Sequence, residues 1–494
     1  MHIYLDHNAQ EKFKSIRNRL FIKDEIKRYD YLFSNINGYS LDKEQRIAVV
    51  TDEVNTLVVA GAGSGKSLTI TGKIKYLREK GIKDDEILCI TFTKEAARSL
   101  ENKINSKVYT FHSLSYSFLK NYNYTVVSDN CLEFIIDEYF NSIIYNNVNM
   151  IKKLKRVLNK IDTPYKQIIK TNEYNNLKKL IITFINLFKT NNYPINYFLK
   201  IKENNDLISI IIDIYYLYTI ELKSTNSIDY NDMIILATKE INKLNLNYKY
   251  IIVDEFQDTS FIRYKLLKEI INKTNAKLMC VGDDYQSIYR FNGCDIDMFI
   301  HFKKYFGYTK VLKISNTYRN SQELINVAGS FIMKNKNQLY KKLVSSKHIE
   351  KPIIISYKNN IYSLLDILVN KYNSILILAR NNSDIKCFDK EFVYKGCNIR
   401  CMTMHSSKGL EDDCVIILNV VDSIIGIPCK IKDTEIINYV SKNKLSFPYD
   451  EERRLFYVGL TRTKNEVYLV TRKNNESIFI KELKKDYSQY IRQI

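Results

Sequence analysis

The stretch NTLVVAGAGSGKSLTITGKIKYL, residues 55–77, decides how the chain is read. Asn55–Ala60 is an apolar run of strand length, Gly61–Ser67 is a glycine loop, and the residues through Tyr76 and Leu77 repeat with a helical period. Strand, glycine loop and helix in that order are the context a phosphate-binding loop requires. Gly61, Gly63 and Gly65 carry no Cβ, so the backbone N–H groups of Gly61, Ala62, Gly63, Ser64 and Gly65 are free to turn toward a phosphate chain. Lys66 is then placed for the β- and γ-phosphates and Ser67 for Mg2+, which makes ATP with Mg2+ the implied ligand. Ala60 stands where the strict pattern has its first glycine.

The other half of such a site lies far downstream. Tyr250–Val253 reads as a buried strand with Asp254-Glu255-Phe256-Gln257-Asp258 at its carboxyl end. Two adjacent acids there divide the work: Asp254 holds the metal shell, and Glu255 orients and deprotonates an attacking water. The span between Lys66 and Asp254 exceeds what a compact nucleotide-binding core needs. Residues 115–225, helical in pattern and bearing the basic run Lys152-Lys153-Leu154-Lys155-Arg156, therefore read as a helical insertion. Its Lys and Tyr side chains fit either a nucleic-acid groove or a plain solvated charged face.

Composition bounds the rest. With 494 residues, 45% of them hydrophobic, the chain has enough apolar surface for about three folded units. The net charge of +20 suits a polyanionic partner, although abundant lysine also reads as a general compositional bias. Nine cysteines without a CxxC pair imply reduced thiols rather than zinc or disulfides, and so a cytoplasmic setting, nucleoid-associated if bacterial. The N-terminus lacks the apolar segment of a signal peptide, and the longest apolar stretch, Leu207 to Ile220, is interrupted by Asp213 and too short for a bilayer. No membrane role is expected.

With the acidic block in hand, further motifs fall into a known order, and the chain resembles the UvrD/Rep-like superfamily 1 DNA helicases from about Tyr31 to Lys464, most of all their helicase IV branch. The blocks are LDKEQRIAV with Gln45, the glycine loop, TFTKEAARSL, Tyr109 to Ser113, DEFQD, VGDDYQSIYRFNG, ISNTYRNSQELINVA, the strand Ile375 to Ala379 with Arg380, TMHSSKGLE and EERRLFYVGLTRTKN. The resemblance implies an α/β fold of two RecA-like P-loop cores, parallel sheets flanked by helices. The expected division is a basic helical segment over 1–38, a first core over 39–114 and 226–303, the insertion over 115–225, and a second core over 304–494. The stretch between Arg380 and Thr403 is too short for the large domain that many relatives insert there.

Residue by residue, the resemblance implies that Gln45 reads the adenine edge, Tyr318 stacks on adenine and Glu411 meets the ribose. Gln286 would sense the γ-phosphate, and Arg319 and Arg462 would reach it from the second core. Thr91, Phe92, Thr93, Phe111, His112, Tyr289, Phe291 and His405 would meet DNA, with core packing as the competing reading of Phe92 and Phe111. Phe291 stands where many relatives carry Trp, and Asn292 where they often carry Arg. The implied activity is ATP-dependent movement along single-stranded DNA in the 3′-to-5′ direction with unwinding of duplex junctions, in repair, recombination or replication, by a monomer. Two alternatives stay open: an ATPase that remodels protein–nucleic-acid complexes, including RNA polymerase, and a clamp that does not hydrolyse ATP.

Overall fold

The computed structural model describes residues 7–494 other than 129, 202–204, 359, 432, 433 and 443–446. Its strands run in chain order β1 (Asn55–Ala60), β2 (Ile87–Thr91), β3 (Tyr109–Thr110), β4 (Thr125–Val126), β5 (Ser227–Ile228), β6 (Tyr250–Val253), β7 (Lys277–Gly282) and β8 (Lys310–Ile314). They continue as β9 (Ile353–Ser356), β10 (Ser374–Ala379), β11 (Glu391–Tyr394), β12 (Cys397–Thr403), β13 (Asp412–Ile417), β14 (Thr463–Val470) and β15 (Ile491–Gln493).

β1 and β2 are buried at every residue, the signature of parallel strands covered on both faces. The first sheet has the order β3-β2-β6-β7-β1-β8 and is parallel throughout. Val58, Ile252 and Val281 point to a face covered by the helices Lys43–Val50, Lys66–Glu79 and Lys94–Ile104. Leu57, Ile90 and Val253 point to the other, under the helices Phe111–Phe118, Tyr230–Glu240 and Phe261–Thr274. Because the strands are parallel, the loops after β1, β6 and β7 leave the same edge, which gathers GAGSGKS, DEFQD and GDDYQ into one crevice.

The second sheet has the order β11-β12-β10-β13-β14-β9-β15, parallel except for the hairpin β11–β12. One element departs from the sequence-based division. Lys310–Ile314 falls after residue 303, yet β8 pairs along β1, with Leu312 opposite Val58, and so belongs to the first sheet. Its half-exposed pattern is that of an edge strand, which carries little hydrophobic signal to assign it to either core.

Between β4 and β5 lie the helices Asn130–Glu138, Val148–Val157, Asn172–Thr190 and Asp206–Ser224, packed around Phe140, Phe184, Phe188 and Ile211. Ile436, Ile437 and Val440 join this apolar cluster from beyond β13, and Asn191 Nδ2 donates to Val440 O at 2.7 Å. The helical insertion is thus fastened to the second core as well as carried by the first. At the N-terminal end, the helix His7–Arg28 lays the buried Glu25 against Tyr76, whose hydroxyl donates to it, and Lys80, 3.2 Å away. Among the described residues no helix is long and apolar enough to cross a membrane.

Candidate nucleotide cleft and nucleic-acid path

The glycine loop is built for close approach. Gly63 and Gly65 have φ of +69° and +76°, and a Cβ on them would stand 2.6 Å from Arg319 Cβ and 2.6 Å from Gln45 Nε2. Gly65 caps the helix that begins at Lys66, so the loop, with Ala60, Gly61, Ala62 and Ser64 all at or just after the end of β1, sits over a helix N-terminus. That end favours an anion. Ser64 Oγ is buried with no protein partner, a donor left over for a ligand.

Lys66 Nζ lies 3.4 Å from Glu255 Oε1. Burial opposes charge on Glu255, but Lys66, Lys408 and a hydrogen bond from Gln257 Nε2 hold its carboxyl below the usual range. Asp254 is pushed the opposite way, first by burial and then by the Glu255 charge, while its Oδ1 accepts from Glu255 N at 2.9 Å. A buried carboxylate raised in this way, in the same crevice as the Ser67 hydroxyl, is a hard oxygen donor set that a cation would relieve. Mg2+ suits it, because Mg2+ commonly takes one or two protein oxygens and completes its shell with phosphates and water. Among the described residues no group of three or more His, Cys, Asp and Glu side chains is placed to hold a metal by itself.

The second core reaches this crevice directly. Thr317 Oγ1 donates to Ala62 O at 2.7 Å and Tyr318 N to Gly63 O at 2.9 Å. Arg462, 1% exposed, gives Nη2 to Gln286 Oε1 at 2.9 Å. Arg319 Nε bonds Glu411 Oε2 at 2.6 Å and its Nη1 bonds Thr461 O at 3.3 Å. Burial and the neighbouring Arg319 charge lower the Arg462 pKa. Two guanidinium groups held this close beside the phosphate loop are arranged for a polyanion. Glu411 therefore serves Arg319 in this structure.

Tyr318 is 64% exposed and ties its hydroxyl to Asp42 Oδ2 at 2.8 Å, beside the helix that carries Gln45. Gln45 is fully buried. Its Nε2 donates to Ser64 O at 3.0 Å and its Oε1 accepts from Asp42 N at 3.0 Å, closing a capping box. The amide thus braces the glycine loop, and one of its N–H groups is not used in these bonds.

A second set of residues forms an aromatic path. Phe92 stacks on Tyr289 (ring centres 5.7 Å apart, 10° between planes), Tyr289 meets Phe291 edge-on at 6.1 Å, and Phe291 meets His405 at 5.6 Å. Tyr289 also donates to His405 O at 3.0 Å, so the path crosses from first core to second. Phe291 is 50% exposed. His112 stands apart, edge-on to Tyr230 at 5.3 Å. Thr93 caps the following helix through Ala96 N, and Thr91 Oγ1 is buried without a protein partner. Phe111 is not on this path: it is buried in the core of the first sheet, 3% exposed.

Several residues of the cleft carried no motif signal by themselves. Lys408 donates to Asp258 Oδ2 and to Gln286 O at 2.7 Å, with its ammonium 5.2 Å above the Tyr289 ring. Arg263 lies 4.7 Å over Phe92. Gln257 accepts from Asp283 N at 3.0 Å while donating to Glu255. Lysine next to glycine, or glutamine inside an acidic turn, gives no cue until the fold shows what it faces.

Comparison with known proteins supplies the family. The model of the UvrD/REP helicase N-terminal domain matches residues 41–307, and that of the UvrD-like helicase C-terminal domain matches residues 394–474. The chain is 26% identical to DNA helicase IV of Escherichia coli over 94% of its own length and 73% of that protein. It is 26% identical to a probable DNA helicase of Mycoplasma pneumoniae, covering 87% of this chain and 83% of the other. With ATP-dependent DNA helicase srs2 of Schizosaccharomyces pombe it shares 28% identity over 90% of its length, but spans only 53% of that larger protein. With the first of these domain models covering more than half of its length and the cleft assembled from both halves, the chain belongs to the UvrD/REP helicases.

Proposed function

We propose that this protein is an ATP-dependent DNA helicase that moves 3′ to 5′ along single-stranded DNA and opens duplex at its junctions. One observation carries the reading: Gln286 of the first core and Arg462 of the second share a hydrogen bond in the same crevice as the Lys66–Glu255 pair. Hydrolysis there is felt by both cores at once.

The residues divide the work as follows. Lys66 pairs with Glu255 until a phosphate chain draws its ammonium away, which frees Glu255 to accept the proton of an attacking water. Ser67 and Asp254 would hold Mg2+, which when bound offsets charge on the β- and γ-phosphates. Arg319 and Arg462 stabilise charge on the transferred group, and Gln286 reports its presence. Closure of the cleft on ATP and its opening after hydrolysis shift Phe92, Tyr289 and Phe291 relative to His405, because those rings belong to opposite cores. Bases stack on such rings whatever their sequence.

The test is ATP turnover with and without single-stranded DNA, followed by unwinding of 3′-tailed and 5′-tailed duplexes. DNA-stimulated turnover with unwinding of the 3′-tailed substrate is expected. A protein that binds DNA normally yet releases no phosphate would instead be a clamp.

A further inference from the structure

Two adjacent lysines, Lys341 and Lys342, follow the helix Gln322–Ile332 in a segment whose side chains alternate inward and outward. Lys342 is exposed, whereas Lys341 is 8% exposed overall and its ammonium is held between Asp283 and Asp284, both fully buried. The Asp284 Oδ1 ion pair measures 2.6 Å, and the ammonium also lies 3.7 Å from the centre of the Tyr285 ring. A buried ammonium is tolerated only where such partners compensate it.

Its partners lead to the hydrolysis site. Asp283 Oδ1 accepts from Lys341 Nζ and from Tyr285 N at 3.1 Å, while Oδ2 accepts from Gln286 Nε2 at 2.6 Å. On its other side Gln286 Oε1 accepts from Arg462 Nη2. A carboxylate on one flank and a guanidinium on the other leave the amide a single orientation, since a flipped amide would set oxygen against oxygen and N–H against N–H. One Nε2–H remains for a phosphate oxygen. The segment that brings Lys341 also places Leu339 N 2.8 Å from Asp284 Oδ2 and Leu343 where a Cβ on Gly61 would stand.

We propose that Lys341 is a positioning residue for ATP hydrolysis: by pairing with Asp283 it holds that carboxylate in place against Gln286 Nε2 and so fixes the Gln286 amide toward the γ-phosphate. The proposal rests on the ATPase reading above. With Lys341 replaced, Asp283 loses the cation that holds its Oδ1, and a carboxylate free to turn away from Gln286 Nε2 no longer dictates which end of the amide faces Arg462.

The experiment measures kcat and KM of ssDNA-stimulated ATP hydrolysis for wild type, Lys341→Met, Lys342→Met, Gln286→Ala and the Lys341→Met/Gln286→Ala pair. Lys341→Met is expected to lower kcat by about tenfold or more with KM for ATP within about threefold of wild type, and to add less than about twofold once Gln286 is alanine. Lys342→Met is expected to match wild type. Should Lys341→Met fail to fold, Asp283→Asn carries the same comparison, because it removes the carboxylate that orients the amide; the same non-additivity with Gln286→Ala is expected. Losses that multiply across the double variant, or a Lys341→Met protein with wild-type kcat, would overturn the proposal. A wild type without any DNA-stimulated turnover would overturn the ATPase reading itself, and Lys341's role with it.

Discussion

In the proposed mechanism Glu255 is a base in one state, whereas the structure shows it as the salt-bridge partner of Lys66. Lys66→Ala is expected to abolish ATP turnover, by at least about 100-fold, while leaving ssDNA binding in the absence of nucleotide intact. Glu255→Gln should bind both ATP and DNA and then stall, with phosphate release slowed by about 100-fold or more; normal release would show that another group takes the proton. Histidines supply a pH test. Burial, then neighbouring positive charge, lowers His112 and His405 to about 4. Their unfolded forms take up protons near pH 6.5 and the folded forms do not, so their share of stability is complete above that pH and is lost as pH falls from 6.5 toward 4. Thermal unfolding across that range is expected to show a drop that shrinks in a His112→Asn/His405→Asn variant. Lys66, Asp254, Arg319 and Arg462 were all legible as motif residues because each sits at a fixed distance from a strand end or within a long block. Lys341 lies outside every motif and Gln257, although inside the acidic block, shows no role there, since what they do depends on which carboxylate the fold buries beside them. Phe111 shows the converse: an aromatic in a block expected to meet DNA can still be a core residue.

Among the elements, the loop Asp283–Gly293 carries both Gln286, bonded to Arg462 in the cleft, and Phe291 of the aromatic path. Its far end is pinned, for a Cβ on Gly293 would lie 2.4 Å from Thr190 Cγ2 of the insertion. Phe291→Ala is expected to cost translocation more than DNA-free hydrolysis, with ssDNA affinity weaker by about 1–3 kcal/mol. Equal losses in stepping and in DNA-free turnover would remove the coupling between this loop and movement. The strand β1, the loop and the helix after it were readable because one short segment shows all three signals in order. The edge strand β8 was not, because its pairing with β1 spans about 250 residues of chain and its own pattern is half exposed.

At the scale of the whole molecule, the +20 charge suits a polyanionic partner. Affinity for single-stranded DNA is expected to fall steeply with salt, whereas ATP affinity without DNA should change much less. Equal salt dependence of the two would assign the charge to the nucleotide cleft instead. Ile436, Ile437 and Val440 fasten the insertion to the second core, so Ile437→Asp is expected to lower the unfolding temperature and to weaken the response of ATP turnover to DNA. β8 also governs how the molecule can be divided. A fragment stopped at residue 303 would leave the outer backbone of β1 without its hydrogen-bonding neighbour, a bare template for a strand of another copy, whereas one continued through Asn316 would carry its own shield. The shorter piece should self-associate at the lower concentration, and the practical seam of this two-core chain therefore lies after β8.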